Sequence, residues 1–113
     1  MSERTKKANL RMLWLLRRVI ANHGYVTAWD EGLVDNFVEA FPEAKKTLRV
    51  YTMGADSSPV MNRAAVRARD AGFLTPGHVG TEDARTFNQR TWARVWKITP
   101  QGREYVEMLA DSE

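Results

Sequence analysis

The sequence predicts one mainly α-helical domain carrying a small β-hairpin, and three observations predict it. Apolar residues recur at helical spacing in successive stretches, as in Met12-Leu13-Leu15-Leu16-Val19 and in Trp29, Leu33, Phe37 and Phe41. Glycines follow two of these stretches at Gly24 and Gly72, where a left-handed turn ends a helix most easily. Near the C-terminus "TWARVWKIT" (residues 91–99) alternates instead, with Trp92, Arg94, Trp96 and Ile98 set against Ala93, Val95 and Lys97, the period of a strand.

The chain has 113 residues, enough for a single domain (1–113) with an ordinary hydrophobic core. It has no cysteine, which excludes disulfides, thiolate metal sites and cysteine nucleophiles and fits a reducing compartment. Basic residues precede an apolar run at the N-terminus, but Arg11, Arg17 and Arg18 interrupt it. No stretch reaches the ~18 apolar residues of a membrane span, so a soluble cytoplasmic protein without a membrane partner is expected.

The net charge is only +3, yet it is unevenly distributed. Residues 1–24 carry six Lys/Arg against Glu3 alone, and residues 25–44 carry five Asp/Glu and no Lys/Arg. Residues 45–74 and 75–99 are again positive, at +4 and +2, and residues 100–113 are negative, at −3. Such segregation suits a protein with one surface turned to a polyanion; chance clustering on a solvated surface is the alternative.

The first helix is expected over residues 5–23, stopped by Gly24, with Ala8, Met12, Leu13, Leu15, Leu16, Val19 and Ile20 on one broad apolar arc. Residues 1–24 form this N-terminal element and residues 25–109 the remaining core. Leu10 and Trp14 fall outside the arc, four residues apart. Either a partner subunit covers them, making them a dimer interface, or Trp14 folds onto the chain's own C-terminal helix. A second helix is expected over residues 29–41, capped by Thr27, with Asp30, Glu31, Asp35 and Glu39 on its acidic outer side. "PEAKKTLRVYTMG" (residues 42–54) reads as a third helix because Pro42-Glu43 is a good opening and Ala44, Leu48 and Tyr51 share a face. Its "TLRVYT" is also rich in strand formers. The choice matters: if that segment pairs into a sheet and nothing then supports the next helix from behind, the functional reading fails.

That next helix spans residues 58–71, with Ser58 as cap, Pro59 in the first turn and Gly72 as stop. Val60, Met61, Ala64, Ala65, Ala68 and Ala71 form one side, small enough to lie close against another helix. Asn62, Arg63, Val66, Arg67, Arg69 and Asp70 form the other. A short strand at residues 73–75 follows, then a fifteen-residue, largely polar, Pro/Gly-containing stretch, "PGHVGTEDARTFNQR", long for a hairpin loop. After the strand at 91–99, Thr99-Pro100 opens a last helix whose apolar side is Tyr105, Val106, Met108 and Leu109.

A major groove admits one α-helix and offers a distinct donor–acceptor pattern for each base pair. On the outward side of the 58–71 helix, Asn62 suits adenine, Arg63 suits guanine and Val66 suits a thymine methyl. Ser58 and the free amides beside it suit a phosphate, as do Arg67 and Arg69 further along. Arg85, Arg90 and Arg94 are placed to reach the adjacent minor groove or backbone. Each arginine has a plainer alternative as a solvated charge paired with Asp70, Glu82 or Asp83.

At "MNRAAVRARDAGFLTPG…ARVWKITPQGREYVEML" the chain resembles the winged helix-turn-helix superfamily, over roughly residues 42–109. The carriers are a glycine-stopped helix followed by Phe-Leu, a hairpin, and an aromatic-x-aliphatic-Thr-x-x-Gly signature at Trp96, Ile98, Thr99 and Gly102. Asp83-Ala84-Arg85 is similar to the wing-tip Asp-x-Arg of MarR regulators, and "KITPQGREYV" is similar to PadR or MarR proteins. The distance from Arg85 to Ile98-Thr99 exceeds that of MarR proteins, and their C-terminal dimerisation helices are short or missing here, so the subfamily stays open.

The expectation is a sequence-specific double-stranded DNA-binding protein, a homodimeric, nucleoid-associated transcriptional regulator. A winged-helix protein-interaction module is the alternative, as is a plasmid-partition or phage-type DNA organiser. His23 and His78 have no further His or Cys at ligand spacing, and no catalytic triad or phosphate loop stands out, so neither a metal, a cofactor nor an enzyme activity is expected.

Overall fold

Helix α1 (Glu3–Ala21) is the element on which the others are laid. The computed structural model describes residues 2–26, 32–44, 47–48, 56–77 and 95–112. After α1 the chain runs through β1 (Tyr25–Val26), α2 (Leu33–Ala40), β2 (Thr47–Leu48), β3 (Asp56–Ser57), α3 (Pro59–Asp70), β4 (Leu74–Gly77), β5 (Val95–Ile98) and α4 (Pro100–Ser112). The described residues are thus mainly helical with a small antiparallel sheet.

Ser2 caps α1, its hydroxyl accepting from the Thr5 amide at 3.2 Å, so the helix starts at Glu3, two residues before the expected Thr5. It also ends two residues before the expected His23. His23 and Gly24 both turn left-handed, at φ 66° and 95°, and the Gly24 amide reaches back to the Val19 carbonyl at 2.9 Å. Of the predicted arc, Met12, Leu13, Leu15, Leu16 and Val19 are buried, and Ala8 and Ile20 are half-buried.

Helix α2 begins at Leu33, after Gly32 at φ 77°, and not at Trp29; Trp29 and the expected cap Thr27 lie outside the described residues. A glycine that takes the left-handed turn there sets the start of this helix, which the apolar periodicity alone does not reveal. Leu33, Val34 and Phe37 are buried, while Asp35 and Glu39 are exposed, as the amphipathic pattern requires.

The expected helix over 42–54 is corrected. Thr47 and Leu48 form a strand whose register is Thr47↔Ser57 and Leu48↔Asp56. The strand propensity of "TLRVYT" prevails over the Pro-Glu opening signal, since the pairing satisfies backbone groups that a short helix leaves open. The following helix nevertheless has support from behind. Met61, Ala64, Ala65 and Ala68 of α3 are buried, and α1 is the element they face most closely. Ala71, assigned to the same side, is exposed, because it sits beyond the last helical residue.

The three-stranded sheet has the order β1-β5-β4, antiparallel throughout. Tyr25↔Lys97 and Val26↔Trp96 bring in β1, which two residues are too few to announce by periodicity. Strand β4 runs from Leu74 to Gly77, two residues longer at its end than predicted, with Leu74↔Ile98 and Gly77↔Val95. Pro76 sits where a proline is tolerated, on an edge strand. Residues 91–94 of the predicted strand lie outside the described residues.

Helix α4 explains the Ile-Thr-x-x-Gly spacing physically. The Thr99 hydroxyl accepts from the Gly102 amide at 3.0 Å, capping the helix, and donates to the Gly72 carbonyl at 2.6 Å. Gly102 is buried, and a methyl group there would collide with the Phe73 carbonyl oxygen and come within 2.7 Å of Ile98 Cδ1. Tyr105 stacks on Phe73 with ring centroids 4.3 Å apart. Tyr105 and Val106 pack on the core, whereas Met108, expected on the same side, is 59% exposed.

Candidate nucleic-acid interface

The sequence divides α3 into a small apolar side and a polar side, and the structure keeps that division. Four buried side chains face inward, while Asn62, Arg63, Val66, Arg67, Arg69 and Asp70 are all exposed. Asn62, Arg63, Val66, Arg67 and Asp70 line one shallow depression on the protein surface. Val66 is an apolar side chain among polar neighbours, 37% exposed. The alanines permit this arrangement. With little side chain between them, α3 and its supporting helix approach closely, and the longer cationic side chains have no core position to occupy.

The individual arginines differ in their surroundings. Arg67 extends to α1, where its Nε and Nη2 both donate to Asn9 Oδ1, at 3.1 and 2.9 Å. Arg69 turns the same edge of its guanidinium to its neighbour, donating from Nε and Nη2 to Asp70 Oδ1 at 3.2 and 3.1 Å. One of the partners foreseen for the arginines is therefore present. Asn9 was not foreseen, although a signal exists: it lies four residues before Leu13 and seven before Leu16, a polar residue on the apolar side of α1.

Ser58 does not belong to the exposed set. It is fully buried, and its hydroxyl accepts from the Met61 amide at 3.3 Å. A hydroxyl that caps its own helix beneath the surface is not presented to a phosphate, so Ser58 is corrected from a contact residue to a capping residue. Arg85, Arg90 and Arg94 lie outside the described residues, as do Glu82 and Asp83.

On the far side of α1, Leu10 is 57% exposed. Trp14 is half-buried, set edge-on to Phe37 and Phe41 at centroid distances of 5.3 and 6.5 Å. Its aromatic partners belong to α2 and the residue after it, not to the C-terminal helix considered from the sequence. Leu10, Leu13, Trp14, Arg17, Arg18 and Phe41 line an apolar groove there. Nearby, Arg11 Nη2 lies 2.9 Å from Glu43 Oε1, tying α1 to the turn after α2. The hydrogen bond from Arg11 holds the Glu43 carboxyl below its ordinary pKa.

Among the described residues no three His, Cys, Asp or Glu side chains are gathered as a metal site would need. No described helix is long and apolar enough to cross a membrane. No family model, curated protein or solved structure matches the chain.

Proposed function

We propose that the chain is a winged helix-turn-helix protein that binds double-stranded DNA sequence-specifically, as a homodimeric transcriptional regulator. One observation carries this reading: the exposed side of α3 presents Asn62, Arg63, Val66 and Arg67 together, backed by a buried alanine side. A helix of twelve residues, about 18 Å long and ~10–12 Å across, matches a major groove ~12 Å wide. Asn62 reads adenine, Arg63 reads guanine and Val66 meets a thymine methyl. The β4–β5 hairpin is the wing, and Arg85, Arg90 and Arg94 in or beside its connection reach the flanking backbone or minor groove.

Leu10 and Trp14 supply the subunit contact through α1. A two-fold dimer sets its recognition helices about one DNA turn (~34 Å) apart, so the operator is an inverted repeat. Fluorescence anisotropy over a salt series tests the reading. Log affinity falls steeply and linearly with log salt, and a flat response or no binding to any duplex at low salt removes it. Arg63→Ala relaxes base preference at one position. Sedimentation equilibrium of wild type and Trp14→Glu tests the dimer, which equal masses at monomer weight would refute.

The pairing of Arg69 with Asp70 favours a second reading, a winged helix that holds a protein partner. A stoichiometric protein partner that survives nuclease treatment supports that reading. Cooperative binding to repeated sites marks the third, a plasmid-partition or phage-type DNA organiser.

A further inference from the structure

Two arginines on the outer side of α3 use the same edge of the guanidinium on acceptors of different charge. Arg67 meets a neutral amide oxygen, Asn9 Oδ1, and Arg69 meets a carboxylate, Asp70 Oδ1. Guanidinium carries five N–H donors, and each contact uses one on Nε and one on Nη2. Among the described residues Nη1 has no hydrogen-bond partner in either, so the end-on fork of Nη1 and the second Nη2 proton can grip a phosphate bidentately. What separates the two is charge. Asn9 orients Arg67 and leaves its full positive charge, whereas Asp70 sets a negative charge within 3.1 Å of the Arg69 guanidinium and cancels it toward any anion.

We propose that Asn9 is a positioning residue that makes Arg67 the phosphate-gripping side chain of α3, while Asp70 silences Arg69. The proposal rests on the DNA reading above and refines it, since the sequence assigns Arg67 and Arg69 the same role. Asn9 reduces the rotamer freedom that a four-torsion side chain loses on binding, without supplying an ion that must be displaced first. It also makes the first helix part of the DNA-facing surface, through a residue that touches no DNA.

The test is the slope of log affinity against log salt for one fixed duplex, measured on the full chain. Each phosphate neutralised contributes a slope of about 0.9. Arg67→Ala lowers the slope magnitude by ~0.9, and Arg69→Ala leaves it near the wild-type value. Asn9→Asp gives Arg67 the surroundings of Arg69, so it lowers the slope as Arg67→Ala does and adds nothing in an Arg67→Ala background. Asn9→Ala keeps the slope and weakens binding severalfold, an outcome that loss of the cation does not produce. Asp70→Asn frees Arg69 and raises the slope by as much as ~0.9, tightening binding at low salt. Circular dichroism establishes that these surface variants stay folded. Equal loss of slope in Arg67→Ala and Arg69→Ala, or a wild-type slope in Asn9→Asp, overturns the proposal while leaving the DNA reading intact. A wild-type chain that binds no duplex removes both.

Discussion

Helices α3 and α4 begin alike and are held differently. Each has a hydroxyl residue at the cap and proline at the first helical position, Ser58-Pro59 and Thr99-Pro100. In each the hydroxyl accepts from the amide three residues on, Met61 at 3.3 Å and Gly102 at 3.0 Å. Ser58 is sealed beneath the surface, and the bond to Met61 is its cap. Thr99 is half-exposed and also donates to the Gly72 carbonyl, at 2.6 Å. Two identical local signals therefore give one helix a start and the other a start plus a tertiary anchor. Local chemistry selects the cap, and the chain's path selects whether the cap has a second partner.

The comparison breaks most severely at Gly102, which α4 has and α3 lacks at the matching position. A methyl group there meets backbone, which cannot rotate away, so Gly102→Ala costs at least ~3 kcal/mol, the upper end for an inserted methyl. Urea unfolding measures it, and Met61→Ala at the equivalent place in α3 costs about 2 kcal/mol by the different route of a cavity. Thr99→Val keeps the shape and removes both hydrogen bonds, for a loss of about 2 kcal/mol, one for each bond. Ser58→Ala removes one bond and costs about 1 kcal/mol, so the ratio of the two losses tests whether the second partner matters. Thr99→Ser retains the hydroxyl and stays within about 0.5 kcal/mol of wild type.

The smallest effect comes from pH. Neither cap titrates between pH 3 and 7, so their difference persists in acid. The Arg11–Glu43 tie does titrate: the folded pKa of Glu43 is depressed, so its contribution is present above the unfolded value and fades as pH falls through the folded one. Glu43→Gln therefore lowers the melting temperature slightly at neutral pH, and the gap to wild type closes in acid.

The same distinction between local and tertiary information marks what was legible in the sequence. The two sides of α3 were, because alanines at helical spacing leave the arginines nowhere but outside. Both proline-started helices were, since their caps lie within four residues. Helix α2's start was not, because Gly32 breaks a periodicity that runs on through it. Residues 47–48 carried helix and strand signals together, and only pairing with residues 56–57 decided between them. Ser58 was legible as a cap but not as buried, so its hydroxyl was expected at the surface as well. The Asn9–Arg67 contact spans 58 positions, and no local pattern joins its ends.

Directly after the last strand of the sheet, the single hydroxyl of Thr99 joins the turn that closes α3 to the opening of α4, and the Thr99 amide donates to the Phe73 carbonyl beside it. The hairpin and the cationic helix beside it therefore share a common pivot.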